Sequence, residues 1–278
     1  MQLNKIFYWI CRVTTWASVL LLCTLLVHIL KQGLSWVNWE FIMNFPSRYP
    51  EKAGIYTALI GSVYVIALTA AVAIPFGLGT AIYLEEYAPK KSLFLRFVKL
   101  NIANLAGMPS IIYGLLGLTL FARVMDLGRS IIAGSLTLGL LVLPVIIMAS
   151  QEAIRAVPIM VREAGFAMGA RRYQVIFGHV LPAALPGIMT GLILALSRAV
   201  GETAPLIVVG ALSYVAFLPE NMFDMFTVLP VQIYNWAGRP QPEFHSLAAA
   251  GIIILLLFLF TLNSIAVLIR AKFQRYKL

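Results

Sequence analysis

Long apolar runs recur along this chain, at about residues 13–30, 58–84, 100–122, 131–150, 186–212 and 247–269. Each is close to the roughly 20 residues that span a ~30 Å hydrocarbon layer at 1.5 Å per residue. Inside that layer no water bonds to backbone N–H and C=O groups, so each run has to form a helix that satisfies its own backbone. The mean hydropathy of +0.90 agrees, as do 61% hydrophobic against 12% charged residues, a balance outside that of soluble domains. The sequence is therefore read as an all-α integral membrane protein with six transmembrane helices, the last of them carrying GIIILLLFLF.

The first run follows Lys5 and Arg12 in the manner of a signal peptide, but it is long enough to span and no clear small-residue cleavage site follows it. It is read as an uncleaved anchor. With the N-terminus inside, 14 of the 21 Lys and Arg residues fall in inside segments, 6 fall outside and Arg198 lies within the membrane. That asymmetry predicts both termini in the cytoplasm, in a bacterial inner membrane. It also explains the net charge of +10 without nucleic acid. Cys11 and Cys23 sit in or beside the first run, and His28, His179 and His245 are scattered over a span, an inner loop and an outer loop. Neither set builds a metal site, a disulfide framework or a catalytic array, so no cofactor and no enzymatic chemistry are expected in this chain.

The domain reading is an anchor with its outer loop at 1–57, a core at 58–270 with an inner loop at about 151–186, and a basic tail at 271–278. Two long outer segments, 31–55 and 213–246, hold tryptophans (Trp36, Trp39, Trp236) expected at the membrane interface, in contact with lipid headgroups. In the inner loop, Pro158 is placed to open a short helix and Gly169 to end it. Arg171 to His179 is expected to form a second helix that Pro182 and Pro186 interrupt. An amphipathic helix on lipid headgroups is one reading of this loop. The spacing of Glu163, Ala164, Gly169, Leu181 and Pro182 resembles the Glu-Ala-Ala loop of membrane subunits of binding-protein-dependent ABC importers. Gly165 stands where that family usually has a second alanine, and His179 where it has isoleucine. The resemblance implies a coupling helix that docks on an ATP-hydrolysing subunit, with Glu163 as polar anchor, Ala164 beside it and Gly169 at the turn. The chain has no GxxxxGK[ST] loop, so ATP and Mg would be bound by that separate subunit.

Charged residues at bilayer depth need an explanation. In SRAVGETAPL, Arg198 and Glu202 are four apart on one helix face, and an arginine at the helix centre costs about 2.5–3.5 kcal/mol to insert even on a mild scale. The pair neutralises itself for insertion, forms an anion site, or does both. Gly201 and Pro205 loosen the helix around Glu202. The planar guanidinium of Arg198 suits phosphate or carboxylate, and Thr203 adds a hydroxyl. In the third run, Gly107, Pro109 and Gly114 bend or thin the helix, and Ser110 offers another hydroxyl.

Together, GMPSIIYGLLGL, PGIMTGLILALSRAVGETAPL and AAAGIIILLLFLFTLNSIAVLIR are similar to the phosphate-importer permeases of the PstA type, over about residues 58–270. The resemblance implies the MetI-like fold of type I ABC importers and a path for inorganic phosphate. It implies a PstC-type permease as heterodimer partner, a PstB-type ATPase dimer inside, and a phosphate-binding protein outside. Arg198, Glu202, Thr203 and Ser110 would line the path or its gate. The same residues admit two other readings: an ABC permease for another oxyanion or polar solute, and a self-contained channel or secondary transporter.

Overall fold

A computed structural model describes residues 2–89, 92–211 and 214–274. Lys90, Lys91, Arg275 and Lys277 of the charge count, and the end of the fifth run at Leu212, lie outside the described residues. Among the described residues every regular element is helical. In chain order they are α1 (Gln2–Gly33), α2 (Trp39–Met43), α3 (Tyr56–Ile82), α4 (Leu93–Ala106), α5 (Ser110–Gly117) and α6 (Ile131–Arg155). There follow α7 (Ile159–Ala167), α8 (Arg172–Val175), α9 (Leu181–Gly201), α10 (Ala204–Val209), α11 (Leu229–Ala237) and α12 (Pro242–Gln274). Short π-helical turns, Tyr83–Tyr87, Leu118–Val124 and Ile176–Val180, extend α3 and α5 and join α8 to α9.

Five helical stretches are long and apolar enough to cross a membrane: Lys5–Trp36, Tyr56–Tyr87, Ile131–Arg155, Arg172–Gly201 and Pro242–Lys272. The third run departs from expectation. Instead of one span over 100–122, the chain bends by 103° between Leu93–Ala106 and Ser110–Val124. Pro109 lacks an N–H and restricts Met108 before it, and Gly107 adds freedom at the same place, so the helix stops at Ala106. The phenol of Tyr113 holds the corner by donating to the carbonyl of Leu105 at 2.8 Å.

The bent segment still has to cross. Helices α3 and α6 run parallel: Thr69 Oγ1 donates to the carbonyl of Ser135, Gly77 lies on Ile146, and Gln151 donates to Glu85. Two parallel helices need one return crossing between them, and only α4 and α5 are available to make it, giving the sixth span.

Packing follows small residues. Antiparallel α9 approaches α6 through Gly187 and Gly191, whose Cα atoms face Ala153 and Ala149. In lipid, where apolar side chains gain little from one another, such close approach is the principal cohesive device. The core so formed contains Val65, Leu138, Val142, Ile146, Ile188 and Ala195. A second cluster closes the end of the bundle remote from residues 156–180, and Trp236 lies at its centre, fully buried with its ring centroid 5.8 Å from that of Phe41. That corrects the interfacial reading of Trp236; Trp39, at 71% exposure, fits it. The segment expected as the loop 213–246 contains α11, because Leu229, Ile233 and Trp236 line one helical face that packs inward. By contrast α1 is exposed along most of its length and joins the bundle only near its end, where Gly33 meets the backbone of Ala249 and Ala250.

Candidate functional site

Helix α9 ends where the sequence places the charged pair. Glu202 is extended (φ −75°, ψ 124°) and its N–H bonds the carbonyl of Ala199. After Thr203 the chain resumes as α10, with Pro205 in its first turn. Gly201, Glu202 and Pro205 thus break the span as anticipated, and the break falls on the acidic residue itself.

Arg198 Nε donates to Glu202 Oε1 at 3.3 Å. The Glu202 side chain is mostly covered, at 15% exposure, whereas the Arg198 side chain is 48% exposed. Among the described residues the Nη groups of Arg198 have no hydrogen-bond partner, which leaves that edge of the fork unengaged. This is a spare bidentate donor beside a carboxylate, at the joint between two helical segments. Helix α5 packs against that joint, a Cβ on Gly114 lying 2.7 Å from Pro205 Cα. Ser110, half-buried in the first turn of α5, shares this face with Tyr113 and Gly114 at i, i+3 and i+4. Tyr113 lies within electrostatic reach of Arg198. The structure therefore assembles Arg198, Glu202 and Thr203 at one break and turns the face of Ser110 toward it. Tyr113 belongs to the same neighbourhood and was not anticipated, because a tyrosine in an apolar run carries no distinguishing signal.

The loop 156–180 forms a separate centre. Pro158 precedes α7 and Gly169 ends its turn at φ +76°, as the sequence suggests. Glu163 and Ala164 are exposed, as are Ile159, Met160, Phe166 and Met168. The opposite face of α7 is buried on α8, where Gly165 faces Val175: a Cβ at 165 would lie 2.8 Å from Val175 Cγ2. That contact gives the alanine-to-glycine difference a physical reason. The prolines beyond do not interrupt the second helix, which continues from Arg172 to Gly201. The π turn accounts for this: the N–H of Leu181 bonds the carbonyl of Ile176, five residues back. The shifted ladder admits Pro182 in the first turn of α9, and Pro186 lies a turn further on.

At the same end, sequence inspection missed an ionic cluster around Glu85 and Glu86. Glu85 accepts from Lys99 of α4 at 2.7 Å, from Arg155 of α6 at 2.9 Å and from Gln151 at 3.1 Å. Glu86 accepts from Arg162 of α7 through Nη2 at 2.7 Å and Nε at 3.0 Å. Arg162 also donates to the carbonyls of Ile154, in the last turn of α6, and of Val157, just beyond it. Arg172 lies over the ring of Tyr87, 5.2 Å from its centroid. Lys99 lies 14 residues from Glu85, and Gln151, Arg155 and Arg162 lie 66 to 76 residues from their carboxylates, so no helical spacing signals them.

A bundle of membrane-crossing helices, with a charged break in one span and a short amphipathic helix presented at one end, defines a subunit that lines a solute path. The chain belongs to the family of binding-protein-dependent transport system inner membrane components, whose pattern matches residues 73–275. It is 32% identical to the phosphate transport system permease protein PstA of Haemophilus influenzae over 99% of this chain and 95% of that one. It is 35% identical to PstA 1 of Mycobacterium tuberculosis over 80% of this chain and 72% of that one. Among solved structures it resembles the alginate ABC transporter bound to its periplasmic protein, with a TM-score of 0.70, 15% identity and coverage of 95% and 93%. It also resembles the inward-facing MetNI methionine transporter, with a TM-score of 0.62, 18% identity and coverage of 79% and 97%. At those identities the structural likeness speaks to the fold.

Proposed function

We propose that this chain lines the membrane path for inorganic phosphate in an ATP-driven importer, and that Arg198 receives the anion. The observation that carries this reading is the free Nη edge of Arg198 beside a covered Glu202 at a break in α9. A phosphate oxygen pair fits that edge as a carboxylate would, and competes with Glu202 for the guanidinium. Without substrate, Glu202 holds Arg198 and makes the unoccupied path unfavourable to a stray anion. Ser110 and Thr203 supply hydroxyl donors near the same joint. The PstA relatives, similar over most of the chain, support phosphate as the cargo.

In this reading the path is completed by a second permease of the PstC type. A phosphate-binding protein delivers the anion outside, and a PstB-type ATPase dimer binds ATP and Mg inside. The exposed face of α7, with Glu163, Ala164 and the turn at Gly169, docks on the ATPase. The excess of Lys and Arg on the α7 side supports a cytoplasmic position for that face and for both termini in a bacterial inner membrane.

The test is phosphate uptake with ATP hydrolysis, measured on the assembled importer carrying Arg198→Lys or Glu202→Gln. The lysine keeps the charge and loses the fork, so uptake is expected to fall at least about tenfold, equivalent to ~1.4 kcal/mol. Glu202→Gln is expected to raise hydrolysis without matching uptake. Unchanged transport in both variants contradicts the reading.

A further inference from the structure

We propose that Glu86 and Arg162 form the clasp through which movement of the α7 loop reaches the Arg198–Glu202 joint, with α3 as the lever between them. The proposal rests on the importer reading above and adds positioning residues to it.

Helix α7 follows α6 after a three-residue connection, and its inner side is tied down. Arg162 places two donors on one Glu86 oxygen and two more on the carbonyls of Ile154 and Val157. The side chains of Arg162 and Glu86 are only 19% and 10% exposed. A covered ion pair whose arginine uses four of its five donors resists separation, because either partner left alone would be a buried, unpaired charge. Tyr87, the next residue, holds the other end of the loop through Arg172. Displacement of α7 by a docked subunit therefore pulls on the last turn of α3 from both ends of the loop.

Helix α3 carries that pull to the remote half of the bundle. It lies along α6 from Thr69 to Gly77, and its terminal turn keeps Glu85 on Arg155 and Gln151. Further along, Val65 and Ile66 line one small interior void with Val200 and Leu206, which flank the break at Glu202 and Thr203. Ser62 also accepts the backbone N–H of Leu229 at 2.8 Å, which fixes the end of the lever. The route is continuous: α7, Arg162, Glu86, α3, Val200 and Leu206, then the joint.

The decisive experiment places Glu86→Gln, Arg162→Lys and the double variant in the complete importer in proteoliposomes. Phosphate uptake, ATP hydrolysis with and without loaded binding protein, and retention of the ATPase on purification are read together. Each single variant is expected to keep its ATPase and at least half of its hydrolysis, lose uptake tenfold or more, and lose stimulation by the binding protein. The double variant is expected to lose no more than either single one. Loss of assembly, or uptake and hydrolysis falling in equal proportion, would make the pair a structural support and overturn the proposal. So would unchanged uptake, or losses that multiply in the double variant. If the unsubstituted importer couples ATP to another anion and not to phosphate, the cargo assignment fails and the clasp is judged on that anion.

Discussion

Gly114 of α5 meets Pro205 of α10 backbone to backbone: a Cβ at position 114 would lie 2.7 Å from Pro205 Cα and 3.0 Å from its carbonyl oxygen. The contact seats the second half of the bent span on the element that begins just after Glu202 and Thr203. The element that follows the interruption at Gly107 to Pro109 thus rests on the element that follows the interruption at Glu202 to Thr203.

Gly114→Val is expected to force α5 off α10, at the roughly 1–3 kcal/mol typical of overpacking. Thermal denaturation of the purified complex should register the loss, and phosphate uptake should fall with it. Gly139→Ala is the control, since nothing lies within 4 Å of a Cβ there. That substitution should leave stability unchanged or raise it by up to about 1 kcal/mol.

Gly169 occupies the left-handed region at φ +76° with open space around it, so a substitution there is limited by backbone strain and not by collision. Gly169→Val should reshape the turn at a cost of about 1–2 kcal/mol or more, and release the ATPase during purification. Gly169→Asn should retain it, because asparagine tolerates that conformation. Equal retention by both variants would remove the turn from any docking role.

Ser197 Oγ donates to Asn263 Oδ1 at 2.6 Å, joining α9 to α12 one residue before Arg198. Interhelical hydrogen bonds within membranes average about 0.6 kcal/mol, with about 1.7 as a maximum. A double-mutant cycle with Ser197→Ala and Asn263→Ala, read by denaturation in detergent, should give a coupling in that range.

Trp236 and Trp39 divide sharply. The first is fully buried and the second 71% exposed. Trp236→Ala should destabilise by about 3–5 kcal/mol, the range for deleting a large core aromatic. Trp39→Ala should stay within about 0.5 kcal/mol when the isolated chain is unfolded, as surface substitutions do. Similar losses in both would refute the packing assigned to α2 and α11.

Much of this molecule is written locally. Helix is the only economical answer to a 20-residue apolar run in lipid, so the spans around residues 58–84, 131–150 and 247–269 could be read directly. Arg198 and Glu202 stood out because charge is expensive in that setting. Pro158 and Gly169 marked α7 through backbone chemistry that acts over one or two residues. Errors arose where a distant part of the chain set the outcome. Pro109 signals a break, but a 103° corner also involves contacts beyond the local backbone, Tyr113 on the carbonyl of Leu105 and Gly114 against Pro205. Pro182 and Pro186 resemble helix stops until a π turn shifts the hydrogen-bond ladder ahead of them.

Hydrophobicity, charge and backbone restriction belong to single residues and short windows, and from them came the helical class, the apolar runs, the charged break and the short helix bounded by Pro158 and Gly169. Pairing belongs to the folded chain. Glu86 finds Arg162 across 76 residues and Gly114 finds Pro205 across four intervening helices because parallel α3 and α6 and the bent span bring them together. Such contacts depend on helix direction and depth, which no stretch of sequence encodes alone.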